Sequence, residues 1–361
     1  MIHNSELQSF QRILYPDILR TIAVFAVIMI HFCAYGFCNY DVYSLDWQII
    51  NAYESWIRWA VPVFVMVSGM FFLDPQKEIT LSKLYRKNIL RLVVAVLFWG
   101  FLYQVANVAK RIALENANPN VAVVDAVKEF VLGPTWYHLW FLYMIIGLYM
   151  LTPFIRIFTK NAEVKHYRYL FVLFITFGSV LPLIQDLLLF ADKSLKFYFS
   201  LKALLGYSCY FILGYFFSKY ETSKRQRNIV YVTALASVFF QFIGTTFISC
   251  KYGQGNTIFY ENFSPNIVVQ TVAVFLFVKR TCTKIVFSNR STRLIGLLGK
   301  YSFGMYLVHD FFNGIFYRIG FSTMEIPTIL SIPLRTVLTF ILSFFVVCVL
   351  ARIPVIKKYC I

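Results

Sequence analysis

Ionisable side chains inside apolar stretches are the first candidates for chemistry in this chain. Each costs several kcal/mol in hydrocarbon unless it faces a protein-lined or wet cavity. The stretch Tyr15–Phe37, YPDILRTIAVFAVIMIHFCAYGF, carries Arg20 near its start and His31 further on. On a helix their spacing is about 16 Å along the axis and about 20° beyond three full turns. Arg20 and His31 therefore share one stripe, one toward each face of a membrane. A histidine, with an ordinary pKa of about 6.5, can move protons near neutrality, and an arginine fork suits phosphates. A snorkelling arginine and a hydrogen-bonded packing histidine would explain either residue alone, though the aligned pair less well.

Other residues extend the pattern. Asp17 stands one turn before Arg20, where it either caps the helix start or orients Arg20 for a phosphorylated ligand. In LYRKNILRLVV, Arg86, Lys87 and Arg91 gather where an apolar run begins. Membrane anchoring explains them, and so does a site for the phosphates of a nucleotide-like cofactor beside Arg20, with Arg91 deepest. In TWYHLWFLY, Trp136 and Trp140 are four apart and are predicted to share a helix face, with His138 pointing away. That face suits an interfacial aromatic belt or stacking on a sugar ring. In LGKYSFGMYLVHDFF, Ser302, Tyr306 and His309 form a polar stripe, for interhelical hydrogen bonds or for substrate. VPVFVMVSGMFF places Pro62, Ser68 and Gly69 inside a span, where proline bends a helix and small residues let helices approach. His3 and His166 lie in polar segments and read as solvated.

The chain has no phosphate-binding glycine loop, no GxSxG, no HExxH and no paired-carboxylate pattern. Seven scattered cysteines show neither metal-ligand nor disulfide spacing and read as inert core thiols. Covalent serine catalysis and metal hydrolysis thus lack support. What remains is a buried histidine acting as general base, with cationic groups across the membrane from it.

The elements that must position these residues are membrane helices. Of 361 residues 59% are hydrophobic and 14% charged, against about 25% charged in soluble domains. We expect an all-α, polytopic transmembrane helix bundle of about ten helices, near 18–37, 52–73, 89–108, 136–155, 169–190, 201–217, 229–249, 262–278, 294–316 and 330–351. The eighth contains Pro265, Asn266 and Gln270 and is expected to be broken or re-entrant. The loop near 109–135 is expected to hold a short amphipathic surface helix. The net charge of +17 is spread over alternate loops, which excludes a nucleic-acid patch and puts both termini in the cytoplasm by the positive-inside tendency. The first apolar run is too long for a signal-peptide core and no small-residue cleavage site follows it, so it is expected to remain in the mature protein. No linker divides residues 1–361, which are expected to form a single membrane domain with no appended soluble domain.

At these residues the chain resembles the acyltransferase 3 family, integral membrane enzymes that modify surface polysaccharides. The likeness is carried, in order, by DILRTIAVFAVIMIH, PVFVMVSGMF, RKNILR, WYHLWFLYMIIGLYMLTP and SFGMYLVH. The histidine in WYHLWF makes it look closest to the branch containing the enterobacterial common antigen O-acetyltransferase and the intercellular-adhesion polysaccharide modifiers. The resemblance implies an acetyl group passing from cytosolic acetyl-CoA to a sugar hydroxyl outside, in a bacterial inner membrane. The family's essential arginine and histidine fall on Arg20 and His31. Its R-x-x-R motif falls on Asn88–Arg91, so Asn88 replaces the first arginine and Arg86 and Lys87 stand nearby.

The expected mechanism follows. Arg20, Asp17, Arg86, Lys87 and Arg91 hold the acetyl-CoA phosphates. His31 is the general base, while His138 and His309 polarise the acyl carbonyl or position the acceptor. Trp136, Trp140, Ser302 and Tyr306 bind the sugar, and no metal takes part. The rival expectation is a transporter or flippase for polysaccharide or lipid-linked sugar, which also suits buried charges and interrupted helices. The halves of the chain show no matching pair of interrupted segments, which counts against it.

Overall fold

The computed structural model describes residues 13–133, 135–191, 201–318 and 326–361; His3 lies outside them. Helix α1 (Tyr15–Asn39) begins with Pro16 in its first turn, where a missing N–H costs nothing. Helices α2 (Leu45–Ile57) and α3 (Ala60–Phe72) form one apolar stretch broken at Arg58 and Trp59. The break follows from Pro62, whose ring would strike the carbonyl four residues back, that of Arg58. A short α4 (Leu81–Lys83) leads through a π-helical turn (Leu84–Ile89) into α5 (Leu90–Glu115). The expected surface helix is present as α6 (Pro119–Leu132), capped by Asn118.

A single 3-10 turn (Tyr137–Leu139) precedes α7 (Trp140–Asn161). Helices α8 (Val164–Leu173) and α9 (Leu181–Phe190) join through a second π-helical segment, Phe174–Val180. Then come α10 (Lys202–Lys219), α11 (Lys224–Tyr252), α12 (Pro265–Cys282), α13 (Asn289–Arg318), α14 (Thr328–Leu350) and the short α15 (Pro354–Tyr359).

Among the described residues, 8 helical stretches are long and apolar enough to cross a membrane. The two remaining expected spans are helices in the expected places, α10 and α13. Their polar residues, Lys202 and Lys219 in one and Lys300, His309 and Asp310 in the other, lower their hydropathy. The eighth expected span is not broken. Pro265 opens α12, and Asn266 and Gln270 donate across to Gln241 of α11, each at 2.9 Å. Interhelical amide pairs of this kind hold membrane helices together.

Helix α1 is the hub, packing on α2, α3, α12, α13 and α14. Ala23, Val24, Ile28 and Cys33 are fully enclosed, so the helix is not free to turn its stripe. Behind it α3 and α10 meet backbone to backbone. A methyl group at Gly69 would lie 1.8 Å from the Phe211 carbonyl oxygen, and one at Gly214 would lie 1.8 Å from that of Met66. Gly69→Leu is therefore expected to pry α3 from α10 and lower the melting temperature of the solubilised protein by several degrees. Gly147→Ala, where an added methyl meets nothing within 4 Å, is the control and should leave melting unchanged.

Candidate active site

The three histidines of the sequence reading meet. The His31 ring of α1 stacks on that of His309 of α13 at 5.0 Å with a 28° tilt. His138, on the 3-10 turn before α7, lies 6.3 Å from His31 and 5.1 Å from His309. His138 and His309 are each 1% exposed. Among the described residues, neither ring nitrogen of His138 makes a hydrogen bond of good geometry, and Nε2 of His309 makes none. The Leu307 carbonyl beside His138 accepts instead from the Tyr103 hydroxyl at 2.8 Å. Buried ring nitrogens that lack a well-formed hydrogen bond among the described residues, gathered in one small volume, are what a site for reacting atoms requires.

The turn carrying His138 is tied to α13. The Tyr306 hydroxyl donates to the His138 carbonyl. One carboxylate, Asp310, accepts from Trp136 Nε1 at 2.6 Å, from the Tyr137 hydroxyl and from Asn313 at 3.2 Å. Tyr103 lies between the Trp136 and Phe311 rings, at 5.0 and 4.2 Å and within 12° of parallel to each. This stack makes a rigid wall behind the histidines.

At the other end of the α1 stripe, Asp17 Oδ1 stands 3.6 Å from Arg20 Nη1. Asp17 is buried against Gly299 of α13, where an added methyl would come within 2.5 Å of the Asp17 Cβ. The Arg20 guanidinium lies 4.8 Å from the centre of the Phe71 ring, and the Lys77 ammonium lies 5.0 Å from the same ring. Arg91 sits 5.4 Å over Phe303 and donates to the Ile361 carbonyl. Tyr149 lies within electrostatic reach of both Arg20 and Arg91, and Ser68 hydrogen-bonds it.

Some expected partners are elsewhere. Arg86 and Lys87 are exposed on the π-helical turn, while Arg91 alone of the three turns inward. Trp136 and Trp140 do not share a face. Helix α7 starts only at Trp140, and Trp136 precedes it in extended conformation with φ −158°. Trp136 is committed to Tyr103 and Asp310, whereas Trp140 is 38% exposed beside Tyr207 at 6.0 Å. The Ser302 hydroxyl donates within its own helix to the Gly299 carbonyl at 2.9 Å, so only Tyr306 and His309 of that stripe reach the histidine cluster.

A family model described as an acyltransferase domain, Acyl_transf_3, matches residues 13–352. The chain belongs to the acyltransferase 3 family. No curated protein and no solved structure matches it. The match is to the family as a whole, above any branch within it.

Several residues around the histidine cluster and the cationic end of α1 carry little or no signal in the sequence. Asp310 directly follows His309, and an acid inside an apolar run was a signal that it has partners. Lys77 gave none, since a lysine in a loop reads as topology. Glu54 and Arg58, at helical spacing four, form an ion pair at 2.6 Å with Glu54 wholly buried. Arg58 also lies 4.4 Å over Tyr260 and within electrostatic reach of His31. Arg335 of α14, 8% exposed, lies 5.0 Å over Phe32, beside His31.

Proposed function

We propose that this membrane acyltransferase moves an acetyl group from acetyl-CoA to a sugar hydroxyl of a surface polysaccharide or a lipid-linked glycan precursor. The donor is cytosolic, the acceptor lies on the outer side, and the membrane is the bacterial inner membrane. The observation that carries the reading is the convergence of His31, His138 and His309 at one end of the α1 stripe, with Nε2 of His309 buried and without a hydrogen bond among the described residues.

The residues at the other end suit a phosphorylated donor. Arg20 and Lys77 present two cations over one phenyl ring, with side chains 31% and 52% exposed, so phosphates can reach both without unpacking the bundle. Asp17 keeps the Arg20 fork in place. Arg91 extends the positive region toward α5, and the exposed Arg86 and Lys87 add charge at the surface. Arg20 and His31 are about 16 Å apart along the helix, a span that an extended pantetheine arm bridges. Acetyl-CoA supplies an activated thioester. The histidine cluster takes the proton of the attacking hydroxyl and holds the carbonyl and the acceptor in place, with His31 the base that the sequence suggests.

The test uses purified protein in vesicles with acetyl-labelled acetyl-CoA and glycan extracted from the host membrane. Label is expected in the glycan. Arg20→Gln should raise KM for acetyl-CoA at least about tenfold, the loss of one charge-assisted phosphate contact, and should change kcat less. Glycan that crosses the vesicle membrane without gaining label would replace this reading with a carrier.

A further inference from the structure

Within the transfer reaction proposed above, on which this rests, we infer that the proton of the acceptor hydroxyl goes to Nε2 of His309 and that His31 serves instead as the donor facing the acyl carbonyl. The reasoning starts from a tautomer. His309 Nδ1 lies 2.6 Å from the carbonyl oxygen of Tyr306, one turn earlier on α13. A carbonyl oxygen only accepts, so Nδ1 carries the hydrogen and Nε2 carries the lone pair. Nε2 is buried and, among the described residues, has no hydrogen-bond partner. His309 is thus held by its own helix backbone in the form a general base needs.

His31 has no such restraint. Among the described residues it makes ring contacts with His309, His138 and Tyr137 and no hydrogen bond, so either nitrogen is free to donate. The charges around His309 favour the same division. Asp310, the next residue on α13, is within electrostatic reach of both His309 and His31, whereas the cationic Arg58 is within reach of His31. The other titratable groups facing His309 are His31 from α1, His138 from the 3-10 turn and Tyr306 from α13, with Tyr137 of that turn and Tyr103 of α5 reached through His31 and His138. From the break after α2, Arg58 is met through His31, and from α14, Arg335 faces Phe32.

The step balances. The acceptor O–H proton moves to His309 Nε2 as its oxygen bonds the thioester carbonyl carbon. The C–S bond then breaks with its electron pair on sulfur. The proton returns from His309 to that thiolate, leaving ester and free thiol.

The experiment compares His309→Asn and His31→Asn in vesicles, following labelled acetyl transfer from acetyl-CoA into membrane glycan across pH. An asparagine can donate but cannot take a proton. His309→Asn should lose about 10² to 10⁴-fold in kcat together with the fall of rate at low pH. His31→Asn should keep measurable transfer and keep that fall. Added imidazole should restore transfer in His309→Ala and leave His31→Ala unrestored. If His309→Asn does not reach the membrane, His309→Gln, closer in volume, takes its place. The reverse pattern, with His31→Asn losing the low-pH fall and imidazole rescuing His31→Ala, would overturn the assignment and leave transfer at this site intact. Undiminished transfer in both variants would instead sink the active site itself.

Discussion

His31→Ala is expected to lower acetyl transfer into the glycan about 10² to 10³-fold, the scale lost when one donor to a developing oxyanion is removed. The protein should still reach the membrane and melt at nearly the parental temperature. His31 makes ring contacts and, among the described residues, no hydrogen bond, so truncation leaves no buried partner unsatisfied. The enclosed face of α1, with Ala23, Val24, Ile28 and Cys33, is untouched. Radiolabel transfer in vesicles and thermal melting in detergent measure the two quantities separately. A variant with normal acetyl content would show that the α1 stripe is not the path between donor and acceptor.

The second large effect concerns stability. Arg58→Ala is expected to destabilise the fold by about 3–5 kcal/mol, because it strands the wholly buried Glu54 carboxylate without its partner. The Arg58 side chain is 21% exposed, so water offsets part of that loss and the lower end of the range is expected. Replacing both, as Glu54→Leu with Arg58→Leu, should cost far less than Arg58→Ala alone, since no charge is then left in the core. A double-mutant cycle read by denaturant unfolding separates the pair from its surroundings. Equal losses in the single and double variants would mean that the pair contributes only volume.

What the sequence conveyed was governed by periodicity. The 3.6-residue repeat puts Arg20 and His31 on one stripe and Tyr306 and His309 on another, and both hold because α1 and α13 are regular through those positions. The same rule fails at Trp136 and Trp140, where a 3-10 turn and an extended residue intervene and rotate one tryptophan away from the other. It is also of little help at Arg86, Lys87 and Arg91, where the π-helical turn changes the register. Periodicity assigns faces and leaves partners unassigned. The meeting of three histidines from distant segments, the anchoring of two aromatic donors by Asp310 and the approach of Lys77 and Arg20 to the Phe71 ring depend on how helices cross. The polar amides of α12 suggested a break for the same reason, since their partner Gln241 lies on another helix.

The single carboxylate that receives both Trp136 and Tyr137 makes residues 136, 137 and 310 one unit of variation. Removing the acid strands both of these donors along with Asn313, and removing either aromatic donor leaves the acid to the other and to Asn313. Substitutions at the three positions therefore should not add, and drift at one is tolerated only in company with the others. Because His138 follows these donors directly, sequence freedom at position 310 of α13 is restricted by the geometry demanded of a turn far away in the chain.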